Sequence, residues 1–183
     1  EEVAAGKGWI MVNKPPGMAV HPLRLDEQGT MLNVVIARYP QVHGVGEGGL
    51  RSGVVHRLDR DTSGVLLLAL DQPTWSRLRA AFRARRVEKI YQAIVHGRLT
   101  GCGRQTMDLV IAQHRPARVR SVEAAAHRTR GAVRRCGLRW RALQNYPCAT
   151  LVEVHLETGF LHQIRVMLAQ CGHPLIGDRL YGR

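Results

Sequence analysis

The stretch GVVHRLDRDTSGVLLLAL, Gly53–Leu70, decides the fold prediction because it joins a charged segment to an apolar one. Its last seven residues, Gly64–Leu70, are continuously apolar, a pattern typical of a strand that is covered on both faces. Its centre, HRLDRDTSG, places Asp59 and Asp61 among cations in a chain that is otherwise short of acidic residues. Two carboxylates at the start of a core strand are candidates for a chemical role.

The chain is strongly basic. Its 183 residues include 27 Lys and Arg against 14 Asp and Glu, which gives a formal net charge of +13. The excess is nearly all arginine, because the sequence contains only the lysines Lys7, Lys14 and Lys89. A GC-rich genome would explain the choice of arginine over lysine, but it does not explain the deficit of acids. The charge therefore indicates an anionic partner and favours a nucleic acid.

The cysteines and the apolar runs restrict the class of protein. No cysteine pair has the spacing of a zinc site, so we expect no metal and four reduced, buried thiols: Cys102, Cys136, Cys148 and Cys171. No apolar run approaches the ~20 residues that cross a bilayer, and the first residues lack the order of a signal peptide. We therefore expect a cytoplasmic protein without a membrane partner, built as one domain or as two tightly joined halves.

Hydrophobic periodicity predicts the order β, α, β, α, and then mainly strands before a final helix. The predicted elements of the first half are a strand and turn over Trp9–Gly17, a helix within Thr30–Pro40, a glycine-rich loop over Gln41–Gly53, the strand at Gly64–Leu70 and a helix capped by Asp71. Those of the second half are a strand within Val87–Gly97, exposed strands or hairpins beside a loop over Arg104–Arg135, two strands at Cys136–Gln144 and Ala149–Gly159, and a helix over Leu161–Gly172. The apolar face of this last helix is predicted to consist of Ile164, Met167, Leu168 and Cys171. This order indicates an α+β fold and not a doubly wound sheet.

Four motifs occur in a fixed order along the chain: HRLDRDTSG before an apolar strand, KIYQAIVHG, HQIRVMLAQCGHP and finally GDRLYG. Together they resemble the RluA/RluD-type pseudouridine synthases, and the resemblance extends over essentially the whole chain from Trp9. It implies a single pseudouridine synthase catalytic domain over residues 1–183. The implied fold is a mainly antiparallel mixed sheet flanked by helices, with a central RNA-binding cleft. An amino-terminal RNA-binding module and a further C-terminal segment are expected outside these residues.

The resemblance also implies an activity, the isomerisation of uridine to pseudouridine in RNA. In this reaction the bond between the base and C1′ of the ribose breaks, the base turns, and C5 is joined to C1′. No cofactor and no metal takes part. Large-subunit ribosomal RNA is the expected substrate, with transfer RNA as the alternative, and the enzyme is expected to be a monomer.

The resemblance assigns roles to individual residues. It places the catalytic aspartate at Asp59 and not at Asp61, the residue that packs on the flipped base at Tyr91, and the cation that keeps Asp59 ionised at Arg165. The chemistry independently favours a carboxylate, because glycosidic cleavage leaves an electron-poor C1′ that a carboxylate can attack or stabilise. The expected RNA contacts are His56, Arg57, Lys89, His162 and Gln163.

One departure from the family pattern leaves alternatives open. Phe160 and Leu161 stand where the family has Arg-Thr, which is compatible with an RNA-binding relative that has lost catalysis. A glycosidase that uses Asp59 and Asp61 is a third reading, and the low aromatic content and the +13 charge speak against it. Structural roles also remain open for several of these residues: His56 and His162 as structural histidines, Lys89 as a solvated cation, Tyr91 in strand packing, and Asp61 and Asp178 in turns.

Overall fold

The computed structural model describes residues 1–114, 116–122 and 131–182. The chain divides into two compact units, Glu1–Val87 and Glu88–Arg183. Every strand pairing among the described residues is antiparallel, and the strands form one sheet in each unit. The predicted α+β class is confirmed, with the strands distributed over two sheets.

The first unit contains a three-stranded sheet in the order β1-β2-β3. Its elements are β1 (Glu2–Gly6), β2 (Trp9–Lys14), α1 (Met31–Arg38), short 3-10 turns at Pro40–Val42 and Gly49–Arg51, β3 (Gly64–Ala69) and α2 (Gln72–Arg83). The predicted strands and helices are therefore present. The predicted glycine-rich loop contains the second 3-10 turn and all but the first residue of the first one.

Both helices of this unit begin at a side-chain cap. Thr30 and Asn33 form a reciprocal capping box at the start of α1. The carboxylate of Asp71 accepts a hydrogen bond from the backbone N–H of Thr74 at 2.7 Å, which confirms Asp71 as the predicted cap of α2. These local signals fix where each helix starts.

The prediction that β3 is covered on both faces is wrong for its first part. Leu66 and Leu68 are fully buried, whereas Val65 on the opposite face is 54% exposed. The strand lies at the edge of the sheet, next to β2. An apolar run alone does not distinguish a strand covered on both faces from one that leaves a valine exposed.

The second unit contains a five-stranded sheet in the order β4-β8-β7-β5-β6. Its elements are β4 (Ile90–His96), β5 (Cys102–His114), β6 (Ala117–Val122), β7 (Arg134–Tyr146), β8 (Ala149–Leu156) and α3 (Gln163–Gln170). They confirm the predicted strands and the final helix. In the predicted segment Arg104–Arg135, β5 pairs with β6 as in a hairpin, and residues 115 and 123–130 of this segment lie outside the described residues.

One face of this sheet and α3 form a common core. The core includes Val95, Leu138 and Val154 from the strands, packed with Val166 and Met167 of the helix. The predicted apolar face of α3 is partly wrong. Val166 is buried in place of Cys171, which is exposed. A helix of only eight residues gives few positions from which to predict the buried face.

The opposite face of the sheet carries matched charges. Four arginines and three carboxylates form ion pairs there: Arg104 with Glu157 at 2.9 Å, Arg139 with Glu157 at 3.6 Å, Arg141 with Glu153 at 3.1 Å and Arg135 with Asp108 at 3.4 Å. Strand register places these side chains on one side of β5, β7 and β8. We call this surface the ion-paired face.

Three of the four cysteines differ from the prediction. Only Cys136 is buried, while Cys102, Cys148 and Cys171 are exposed. A scattered cysteine carries no periodicity of its own, so its burial follows from tertiary packing. Within residues 1–114, 116–122 and 131–182, no cluster of His, Cys, Asp and Glu could hold a metal ion. In the same residues no helix is long and apolar enough to cross a membrane.

Candidate active site

The segment that carries Asp59 has no regular secondary structure between residues 55 and 59. It ends in a turn in which the backbone N–H of Thr62 donates to the carbonyl of Asp59 at 3.1 Å. The predicted turn is therefore present. The carboxylate of Asp61 accepts no hydrogen bond from the described residues, so the backbone of Asp59 closes the turn and not the side chain of Asp61. Asp59 is half-buried, while its neighbour Leu58 is buried and anchors the segment.

Lys14 is the residue that sequence reasoning missed in this unit. Its side chain is 0% exposed, and its Nζ donates to the carbonyls of Pro15, Met18 and Arg60, each at 2.8 Å. Three donated hydrogen bonds require the charged ammonium, because a neutral amine has only two hydrogens. Burial lowers the pKa of Lys14, and the carboxylates of Asp61 and Asp59 act in the opposite direction. A buried positive charge therefore contacts the backbone of the turn that follows Asp59.

His56 has a structural role in the first unit. Its Nε2 accepts a hydrogen bond from the backbone N–H of Leu67 at 3.0 Å, and its ring stacks on Phe82 with centroids 4.8 Å apart. Because Nε2 accepts from an N–H group, it carries no proton itself. These contacts favour the structural alternative, and a direct RNA contact by His56 stays a prediction.

Arg57 lies on the exposed side of the same segment. With His21, Glu27 and Arg60 it lines a small open pocket in the first unit. Burial lowers the pKa of His21, which is hydrogen-bonded to the carbonyl of Pro22 through Nδ1. The exposed guanidinium of Arg57 is compatible with the predicted RNA contact, which stays a prediction.

Tyr91 lies in β4 of the second unit, opposite Val154 in the antiparallel register. It is half-buried and packs against the core of that unit. This position is compatible with ordinary strand packing, which was one of the two readings of the sequence. Its predicted contact with the target base stays a prediction.

Arg165 and Asp178 form a largely buried ion pair in the second unit. Nε and Nη2 of Arg165 donate to the two carboxylate oxygens at 2.7 and 2.8 Å, and the Arg165 guanidinium lies 5.0 Å from the ring centroid of Tyr181. Burial raises the pKa of Asp178. The Arg165 hydrogen bonds and the N–H groups of Leu180 and Tyr181 outweigh burial and lower this pKa to about 2. Asp178 is thus both the predicted turn residue and a partner of Arg165 that the sequence did not reveal.

Lys89, His162 and Gln163 stabilise the turn before α3. Lys89 donates to the carbonyl of Thr158 at 2.8 Å. His162 starts the helix with a left-handed φ of 52°, and its Nδ1 lies 2.8 Å from the hydroxyl of Tyr181. These contacts favour structural roles for Lys89 and His162, whose contacts with RNA stay predictions.

Gln163 is the most buried of the residues predicted to contact RNA. It is 2% exposed, its Nε2 donates to the carbonyl of Gly137 at 2.9 Å, and its Oε1 accepts from the backbone N–H of Phe160 at 3.0 Å. These contacts favour a structural role for Gln163, and its contact with RNA stays a prediction. Phe160 and Leu161 pack against the core of the same unit, so this departure from the family pattern is accommodated by apolar packing.

The Asp178 interaction leads to a testable prediction. Asp178→Asn should lower the free energy of unfolding at pH 7 by about 2 kcal/mol, because a pKa near 2 in place of 3.8 stabilises the folded state. This stabilisation is complete above pH 4 and is lost as the pH falls towards 2. Urea unfolding of wild type and variant at pH 7, 4 and 3 would measure it. A stability difference that stays constant over this range would contradict the ionic role.

The site residues thus occur in two sets: Lys14, Arg57 and Asp59 lie in the first unit, while Tyr91 and Arg165 lie in the second. The chain is basic and has two antiparallel sheets, in agreement with the α+β fold that the sequence motifs predicted. Residues 8–170 match the family model of the RNA pseudouridylate synthases. The chain belongs to this family.

The comparisons with individual proteins agree with this assignment. The chain is 42% identical to an uncharacterized RNA pseudouridine synthase of Chloroflexus aurantiacus, over 93% of this chain and 51% of that protein. It is 36% identical to the ribosomal large subunit pseudouridine synthase D of Yersinia pestis, over 94% of this chain and 50% of that protein. The chain thus spans about half the length of the curated relatives it matches.

Two solved structures share the fold. Human RNA pseudouridylate synthase domain containing 4 superposes with a TM-score of 0.76 at 24% identity, over 99% of this chain and 68% of that chain. Human RNA pseudouridylate synthase domain containing 1 gives a TM-score of 0.74 at 25% identity, over 100% of this chain and 69% of that chain. The predicted pseudouridine synthase fold is therefore confirmed.

Proposed function

We propose that this chain isomerises specific uridines of large-subunit ribosomal RNA to pseudouridine, with Asp59 as the catalytic carboxylate. The observation that carries the proposal is the position of Asp59, which lies half-buried in an irregular segment with the Lys14 ammonium bound to the next carbonyl, that of Arg60. The match to the family over residues 8–170 supports the reaction type. The similarity to the ribosomal large subunit pseudouridine synthase D of Yersinia pestis supports ribosomal RNA over transfer RNA.

The reaction needs no oxidant and no second substrate, because uridine and pseudouridine are isomers. The bond from C1′ to the base breaks, the base turns, a bond from C1′ to C5 forms, and C5 releases its hydrogen as a proton. The target nucleotide must leave its stack for the enzyme to reach C1′. Three roles are open to Asp59: attack on the sugar, attack on the base, and removal of a sugar proton.

The charges around Asp59 suit this role. A cation near a carboxylate favours the ionised form that each of these mechanisms uses. Lys14 supplies such a charge from within the first unit. Arg165 is the second cation in the proposal. Asp178 binds its guanidinium through Nε and Nη2, which orients the group.

A tritium-release assay tests the proposal. The full-length protein is incubated with in vitro transcripts of large-subunit ribosomal RNA or transfer RNA that carry tritium at C5 of uridine. Release from the ribosomal transcript alone is expected. Release from transfer RNA alone would move the proposal to the alternative substrate, and RNA binding without release would favour a relative that has lost catalysis. Deleting the gene and mapping the uridines that lose the modification would identify the target.

RNA binding should weaken steeply with salt. Arginines that neutralise Z phosphates release counterions, so log K falls with log salt with a slope of about −0.7Z to −0.9Z, and several contacts would cost about a hundredfold or more between 50 and 200 mM salt. Filter binding across this range would measure the slope. Arg57→Ala should make the slope shallower by about one. Arg141→Ala is the matched control, because Arg141 is already paired with Glu153 on the ion-paired face. An affinity that does not change with salt would contradict the interpretation of the charge.

A further inference from the structure

The segment that leads into Asp59 leaves the sheet three residues before Arg57. The carbonyl of Gly53 still accepts from the backbone N–H of Ala69 at 2.9 Å, and Val54 forms a single bridge with Leu68. Between residues 55 and 59 the backbone has no strand partner among the described residues. Buried backbone carbonyls outside regular structure need other donors, and side chains commonly supply them.

Side chains of helix α2 make these contacts, in the same order along the helix as along the segment. Nε1 of Trp75 donates to the carbonyl of Val54 at 3.1 Å, and Nη1 of Arg79 donates to the carbonyl of Val55 at 3.1 Å. The ring of Phe82 stacks on the next residue, His56, at an interplanar angle of 20°. Three consecutive residues of the segment are thus each held by one residue of the helix.

The three helix residues are spaced i, i+4 and i+7, so they lie on one face of α2. Trp75 and Phe82 also pack against the small core of Val45, Val55 and Ala69, which joins the helix to β3. We call Trp75, Arg79 and Phe82 the α2 brace. On the other side of Asp59, Lys14 binds the carbonyl of Arg60. The backbone is therefore fixed both before and after the carboxylate.

We propose that the α2 brace positions Asp59 for catalysis, and that Arg79 is a positioning residue and not an RNA contact. This inference rests on the proposed function, since it requires Asp59 to be the reacting carboxylate. Precise placement of a catalytic group accounts for a large part of the rate, and a shift of about 1 Å can cost about a hundredfold. The brace acts three to five residues from Asp59, through the backbone.

The guanidinium of Arg79 interacts with other groups of the protein. Besides the bond to Val55, its Nη2 lies 3.5 Å from the carboxylate of Glu47, and its guanidinium lies 5.6 Å from the ring centroid of Trp75. The side chain is 40% exposed, so a phosphate contact is the competing explanation in a chain of this charge. The two explanations predict different kinetic changes.

The test compares three variants of helix α2 in the full-length protein. Arg79→Met removes the guanidinium and keeps the aliphatic stem, and Trp75→Phe removes only the N–H donor and part of the ring. Arg83→Met is the matched control, because this exposed arginine on the same helix has no hydrogen bond or ion pair with the described residues. Each variant is assayed for single-turnover tritium release at saturating RNA, for RNA affinity by filter binding, and for its melting temperature.

A positioning role predicts a change in rate without a change in affinity. Arg79→Met should lower the single-turnover rate about tenfold or more, and Trp75→Phe should lower it severalfold, while both keep Kd within about threefold. Arg83→Met should keep the wild-type rate. If Arg79→Met does not fold, Trp75→Phe decides, because it preserves most of the packing.

Two results would overturn the inference. One is a raised Kd and a shallower salt slope for Arg79→Met with a normal rate at saturation, which would make Arg79 a phosphate contact. The other is a normal rate for Trp75→Phe together with a normal rate for Arg79→Met. A wild-type protein without tritium release from either RNA would instead refute the proposed function, so the two failures are distinguishable.

Discussion

Asp59→Asn is expected to lower pseudouridine formation by about 10³-fold or more while RNA affinity stays within a few fold. The amide is nearly isosteric with the carboxylate but can neither act as a base nor stabilise a developing positive charge, and such groups contribute about 10² to 10⁴ in rate. Asp59 is half-buried and its backbone carbonyl accepts from Thr62, so the turn itself should survive the change. Tritium release from C5 of uridine measures the rate, and filter binding measures the affinity.

Asp61→Asn is the matched control, because it changes the same group two residues away. Both carboxylates favour the charged form of Lys14, and Asp61 has the larger effect, so the control variant also perturbs the surroundings of Lys14. Only Asp59→Asn should stop turnover. Near-normal turnover in Asp59→Asn would refute the assignment, and loss of turnover in Asp61→Asn alone, with folding intact, would transfer the role to Asp61.

Lys14→Met is expected to lower the free energy of unfolding by about 3 kcal/mol or more. The methionine preserves the length of the side chain but leaves the carbonyls of Pro15, Met18 and Arg60 without their donor, and each unsatisfied buried group costs about 1 to 3 kcal/mol. Urea unfolding followed by circular dichroism measures the loss. The turn after Asp59 should loosen with it, so turnover should fall even at temperatures where the variant is folded.

Lys7→Met is the control for the loss of one positive charge, because Lys7 is exposed in the same unit. It should change stability by no more than a few tenths of a kcal/mol. Equal stability of Lys14→Met and Lys7→Met would show that the three carbonyls find other partners. The ammonium would then not be needed to hold the turn.

Local signals in the sequence predicted most of the fold. Asp71 and Pro40 mark helix boundaries through capping and a missing N–H donor, and both boundaries lie where the structure has them. Alternation predicted β4, in which Ala93 and Val95 point into the core. Burial was less predictable, because the exposure of Val65 or Cys171 depends on which element covers it, and no local pattern encodes this.

The candidate site was predictable to the extent that its residues belong to motifs. Asp59 in its turn was predicted, whereas Lys14 was missed because its partner Arg60 lies 46 residues away. One signal was available. In β2 the inward positions are Ile10, Val12 and Lys14, so a lysine continues an apolar stripe, and a buried lysine needs partners. No such signal indicated the pairing of Arg165 with Asp178, because a turn-forming role already explained why an aspartate stands at position 178.

The bond from Lys14 to the carbonyl of Arg60 also affects how the first unit folds. It closes 46 residues of chain, and it can form only when β2 has paired with β3 in the correct register. Long-range contacts of this kind form late, since the chain must first lose the entropy of closing the loop. We therefore expect the turn at Asp59 to form only after β2 has paired with β3, so an ordered turn would report that the sheet of the first unit is complete.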